Sequence, residues 1–215
     1  MPHRTAKRLL LVLLGLTFST ITCGCATSRS TLTLSQVGGN ETFTQTFSHA
    51  FASQTPDGDY QIVLIQDATE TAPHTDPGQP LTATPLPPVR QIVHIRTLWR
   101  PTRGTKPDHP CATNGSIDWY VMGGGTAGAT DMVKYEGVGF VTVDPDGDTV
   151  EVTVRNASLK PTYRTGAMTD PLGKSRLTGN ITARHDPRRV QEVLAEVKSS
   201  GALAQTASQS NSLNE

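Results

Sequence analysis

Neither sign of charge is in surplus: nineteen Lys and Arg balance nineteen Asp and Glu over 215 residues. A neutral chain has no basic stripe to hold a phosphate backbone, which argues against general nucleic-acid binding. Aromatics are few, at 5%, so any core must be built mainly from aliphatic side chains. Long apolar runs are missing too. The run Leu9–Phe18 stops well short of the roughly 20 residues that a membrane-spanning helix needs. There are three cysteines, and no C-x-x-C or H-x-x-x-H spacing that would suggest a metal site. His49, His94, His109 and Asp108 do not share a ligand-like spacing, and no metal or cofactor is expected.

What is there begins at the N-terminus. Arg4, Lys7 and Arg8 precede the apolar run, and Thr20-Ile21-Thr22-Cys23-Gly24-Cys25-Ala26 follows it. A charged stretch, a short apolar stretch and a small-residue region are the parts of an export signal. With Gly24 directly before Cys25, the segment resembles the signal peptide of a bacterial lipoprotein. Thr22 stands where Leu is preferred and Cys23 where Ala or Ser is usual. The resemblance implies cleavage before Cys25, lipid on its thiol, and a membrane partner reached through that anchor. Ordinary secretion with cleavage after Ala26 is the alternative, and Cys23 is a rival acceptor. Cleavage before Cys25 takes Arg4, Lys7 and Arg8 from the nineteen basic residues and leaves sixteen against nineteen acidic. Cys111 is then the only thiol left in the domain, with no internal partner.

Beyond the signal, residues 25–40 are small and polar and read as the lipidated N-terminus and a tether, with a short strand at Thr31–Val37. Residues 41–198 carry strand patterns separated by Pro- and Gly-rich turns. Phe43, Phe47 and Phe51 fall on one face of a single strand, and Tyr60–Ile65 and Val89–Trp99 read as strands. Asp144-Pro145-Asp146-Gly147-Asp148 turns a hairpin with apolar alternation at Val150, Val152 and Val154. Asp186 before Pro187 is an N-cap followed by the preferred first helical residue. Val190, Val193, Leu194 and Val197 then form an apolar stripe, predicting a helix over Pro187–Lys198. Residues 199–215 read as a disordered tail. The fold expected is mostly β, an antiparallel sandwich or open barrel of about seven to eight strands with one C-terminal amphipathic helix.

Three patterns invite chemistry. Gly123-Gly124-Gly125-Thr126-Ala127-Gly128 is a literal G-x-G-x-x-G, but Ala129–Gly137 is too short for the crossover helix of a dinucleotide site. Asp108-His109-Pro110-Cys111 places a thiol beside an imidazole, the ingredients of a nucleophile and its base. Trp99, Trp119 and Tyr120 can form a ligand platform, because their rings combine an apolar face with a polar handle. The leading expectation is a non-catalytic binding or structural domain, lipid-anchored in the cell envelope with an envelope protein or the cell wall as partner. The rivals are an enzyme using the Asp108–Cys111 loop and a secreted carbohydrate- or peptide-binding module using Trp99 and Trp119.

Overall fold

The computed structural model describes residues 30–67, 89–101, 113–124, 130–166 and 168–212. The strands are β1 (Ser30–Gln36), β2 (Thr42–Phe47), β3 (His49–Gln54), β4 (Tyr60–Gln66), β5 (Arg90–Thr97), β6 (Gly115–Gly124), β7 (Thr130–Asp146), β8 (Thr149–Thr165) and β9 (Ser175–His185). One helix, α1 (Pro187–Ser212), follows. The export signal, Cys25 and the Asp108–Cys111 loop lie outside the described residues.

The nine strands form one sheet in the order β2-β1-β9-β3-β4-β5-β6-β7-β8, and β8 also pairs with β9. That last pairing, Thr149↔Arg184 through Leu159↔Ser175, turns the sheet into a ring. The opposite edge of β9 is shared. β1 takes Ser175–Asn180 in antiparallel register, and β3 takes Arg184 and His185 in parallel. The β1–β2 hairpin fills the space where β3 and β9 part. Closure leaves no long unpaired edge along most of the ring. The mostly β architecture with a single C-terminal helix is therefore the one observed.

β7 and β8 are 17 residues each, long for strands, and they bend at bulges near Tyr135, Phe140 and Ala157. A bulge adds one residue to one strand and increases local twist, which helps a sheet curl. Glycine makes the bend possible. A Cβ on Gly137 would meet the Ser158 carbonyl oxygen at 2.1 Å, and one on Gly139 would meet the Ala157 Cβ at 2.4 Å. The β7–β8 turn has positive φ at Gly147 alone, which fits a two-residue type II′ hairpin.

Side chains sort by strand parity. Leu32, Leu34, Ile62, Leu64, Val93, Ile95, Ile117, Trp119, Val133 and Tyr135 point inward, joining Val150, Val152, Val154 and Ile181 in one buried cluster. A second cluster lies on the outer surface, where Phe51, Val63, Ile65, Ile92, Met122 and Met132 meet Val190, Val193 and Val197 of α1. The expected helical stripe thus docks on the outside of the barrel. Its start is set by the expected cap: the Asp186 carboxylate accepts the Arg189 amide proton at 3.0 Å. The Asp186 amide donates to the Ala52 carbonyl at 2.9 Å, which ties the helix start to β3.

Four sequence expectations are corrected. The short strand expected at Thr31–Val37 is present as β1, but it lies inside the sheet rather than in a tether, because Leu32 and Leu34 are fully buried and β1 pairs on both sides. The expected single strand 41–51 breaks at Ser48, whose amide and hydroxyl both donate to the Ile65 carbonyl, at 3.1 Å each. That extra residue reverses the parity, so Phe47 faces the interior and Phe51 faces the helix; one residue of slip exchanges the faces of a strand. The strand count is nine, one above the expected range, because the stretch expected as the single strand 41–51 is two, β2 and β3. The helix continues through the expected tail to Ser212, where Ala202, Leu203, Ala204 and Gln205 are mostly good helix formers.

Candidate functional site

An open concavity lies at the end of the barrel where β5 finishes and β6 begins. It has a volume of about 580 Å3 and is lined by Gln54, Asp57, Asp59, Leu98, Trp99 and Arg100. Two chain turns meet there. The β3–β4 turn closes with the Thr55 amide donating to the Asp59 carbonyl at 2.8 Å, and Gly58 supplies the positive φ of 89° that the turn requires. The second wall is the segment after β5. Arg100 donates to the Gly58 carbonyl at 3.0 Å, and its guanidinium lies 5.5 Å from the Tyr60 ring centroid. That pins one segment to the other.

Trp99 is held rather than loose. Its indole Nε1 donates to the Thr113 carbonyl at 3.2 Å, and its own carbonyl accepts from Asn114 Nδ2 at 3.0 Å. The side chain is still 37% exposed, beside Leu98 at 48%. Asn114 is fully buried, and it also donates to the Val141 carbonyl at 2.8 Å and accepts the Val141 amide at 2.7 Å. It clamps the rim segment onto β7. The sequence showed Asn114 only as the start of an N-x-S triplet, with no sign of this role. Asp57, Asp59 and Arg100 were also missed, since a turn and a loop 42 residues apart meet only in the folded barrel.

The three aromatic candidates do not form one platform. Trp119 is fully buried inside the barrel. Its Nε1 donates to Gln91 Oε1 at 3.2 Å and its ring meets Phe47 edge-on at 5.7 Å. Successive strand residues face opposite sides, so Tyr120 stands on the outer wall. Only Trp99 is left at the rim. The physical reason is pleat parity together with the distance between a strand centre and a barrel end.

Tyr120 belongs instead to a charged group on the outer wall. His94, Asp118 and Glu136 lie in register across β5, β6 and β7, and Lys134 reaches between them. Lys134 pairs with Asp118 at 3.3 Å and with Glu136, and lies 5.5 Å from the Tyr120 ring centroid. Partial burial works against the Lys134 charge, but the Glu136 hydrogen bond and the Asp118 carboxylate outweigh it and raise its pKa. Burial raises the Tyr120 pKa, helped by Asp118. His94 Nδ1 is 3.9 Å from Asp118, beyond a good hydrogen bond. Its Nε2 is buried with no partner among the described residues. Burial lowers the His94 pKa, with Asp118 opposing and Arg96, Lys134 and Lys198 assisting. The group is an ion network that neutralises itself around a neutral imidazole.

The glycine-rich run begins at the end of β6, and β7 then returns antiparallel from Thr130. Among the described residues no crossover helix follows β6, where a dinucleotide pyrophosphate would need one. Among the described residues no three His, Cys, Asp or Glu side chains gather to hold a metal, and no helix is long and apolar enough to cross a membrane. Comparison with known proteins finds no matching family model, no similar curated protein and no similar solved structure.

Proposed function

We propose that this chain is an exported binding domain of the bacterial cell envelope, held at a membrane by lipid on Cys25, and that the rim around Trp99 is its contact surface. The observation that carries the reading is the fixed, part-exposed Trp99 in a concavity with two carboxylates, an amide and a guanidinium. An indole face stacks on the apolar face of a sugar ring or a side chain, while the polar groups set its orientation. Fixing the ring beforehand reduces the ordering cost of binding. The ligand class is a cell-wall glycan or peptide, and the domain acts by binding rather than catalysis. The anchor is supported by the charged and apolar N-terminal segment ending in Gly24-Cys25.

The test uses the full chain and isolated cell-wall sacculi. Trp99→Ala should lower retention on sacculi by about tenfold or more, a typical loss for a central aromatic contact, while Trp99 fluorescence in the parent protein is quenched on binding. Equal retention of parent and variant overturns the rim as the contact surface. Release of soluble wall fragments that stops in Cys111→Ser would instead favour the enzyme reading, since Cys111 follows Trp99 by twelve residues in the sequence. Cys25→Ser should move the protein out of the membrane fraction and abolish acyl labelling.

A further inference from the structure

The chain joins the barrel beside a compact group of arginines. Ser30, the first residue of β1, is bound to β9 in both directions: its hydroxyl donates to the Thr182 carbonyl at 3.2 Å and accepts the Thr182 amide at 3.3 Å. Arg184 follows on the same face of β9, opposite Phe51 of β3. Its guanidinium lies 5.4 Å from the Phe51 ring centroid, and that of Arg189, from the first turn of α1, lies 5.9 Å from it. His49 stacks on the same ring at 6.2 Å. Arg184, Arg188 and Arg189 are 66%, 90% and 48% exposed. In the sequence Arg29 directly precedes Ser30. The acids facing these groups are Asp186, which takes Arg184 at 3.2 Å while capping the helix, and Glu192, which serves both Arg188 and Arg189. Glu192 thus divides its two oxygens between two guanidinium groups, and donors are left over.

We infer that this wall of the barrel, where β3, β9 and the start of α1 meet, rests on an anionic phospholipid surface. The inference rests on the lipid-anchored reading. Cys25 lies five residues before Ser30, a reach of at most about 18 Å when fully extended. A lipid on Cys25 therefore holds this wall close to the headgroups. Guanidinium groups pair with phosphate oxygens through two parallel hydrogen bonds. A basic patch beside a lipid anchor adds an electrostatic contact with an anionic membrane surface.

The experiment labels arginines with a dicarbonyl reagent and reads each site by mass spectrometry. The full chain is placed with vesicles of phosphatidylcholine, and with vesicles of phosphatidylcholine mixed with phosphatidylglycerol. Arg184, Arg188 and Arg189 should be labelled about fivefold less on the anionic vesicles, the effect of roughly one cation held at an anionic surface. Exposed Arg164, at the far end of β8, should be labelled equally on both. High salt should abolish the protection. Equal labelling on the two vesicle types, or protection centred on Arg164, overturns the inference. Protection by free glycerol phosphate as strong as by vesicles also overturns it, assigning the patch to a soluble phosphate. Intact mass reads acylation of Cys25 separately. An acylated chain with unprotected arginines overturns the arginine wall and keeps the anchor. A chain without acyl groups that is still protected on anionic vesicles overturns the anchor and keeps the wall.

Discussion

The two ends of the barrel are closed by different chemistry. At the end where β8 passes to β9, the chain folds back into the interior. Leu172 is 1% exposed and joins the core, and Met168 packs against it. The Tyr135 phenol donates to the Asp170 carboxylate, which also accepts the Leu172 and Gly173 amides at 3.2 and 2.8 Å. Burial first, and the Asp170 carboxylate second, push the Tyr135 pKa up, so the phenol keeps its proton. At the other end, Leu98, Trp99 and Arg100 turn outward and are held from below by Asn114. One end spends its apolar and polar groups on each other. The other uses buried amide bonds to hold side chains that face solvent. Groups already satisfied internally contribute to stability, and groups fixed yet exposed are available to a partner.

This contrast can be broken by mutation. The largest effect is expected at the plugged end, where Leu172→Ala should cost about 2–5 kcal/mol in chemical denaturation. Leu98→Ala at the open rim should stay within about 0.5 kcal/mol. Similar losses for the two would erase the distinction between the ends. Next, Asn114→Ala should cost about 2–3 kcal/mol, because it strands buried backbone groups of Val141. It should also loosen Trp99, seen as a red shift and broadening of its emission; a loss of stability without that change would separate the clamp from the rim.

The outer wall gives intermediate effects. Val193→Ala removes two buried methyl groups beneath α1 and should cost about 2 kcal/mol. Glu192→Ala, on a solvent-facing side chain whose pKa is lowered by Arg189 and Arg188, should leave the melting temperature nearly unchanged. Equal effects would mean that α1 is not docked in solution. His94 adds a pH dependence. Its pKa is lowered in the fold from 6.5, so below that pH the unfolded chain binds a proton that the folded chain resists. Stability should therefore fall as pH drops below 6.5, at no more than about 1.4 kcal/mol per pH unit from this group. His94→Gln should flatten the curve, and an unchanged slope would place the titration elsewhere. The smallest stability effect is expected for Trp99→Ala, within about 0.5 kcal/mol, despite its loss of retention on sacculi.

Much of the architecture was legible in short-range pattern. Alternation in Tyr60–Ile65 and Thr149–Arg155, the Gly147 turn and the Asp186-Pro187 helix start each depend on neighbours a few residues apart. The aromatic platform was not legible. Trp119 and Tyr120 are adjacent in sequence and face opposite sides of a sheet, and only closure of the barrel shows which side is interior. Phe51 was misassigned for a related reason, since Ser48 reverses the strand phase through a bond to Ile65 that no local pattern records.

The sequence alone determined that the chain is mainly strand and that a short helix stripe must be covered. These are consequences of residue period, turn chemistry and composition, which act over a few residues. Tertiary structure decided the rest: which face of each strand is inside, that β1 belongs to the sheet, and that Gln54, Asp57, Trp99 and Arg100 share one concavity. Those facts depend on pairings such as β8 with β9 and β3 with β9. Contacts that join distant segments exist only after the chain has closed on itself, so no local window of the sequence contains them.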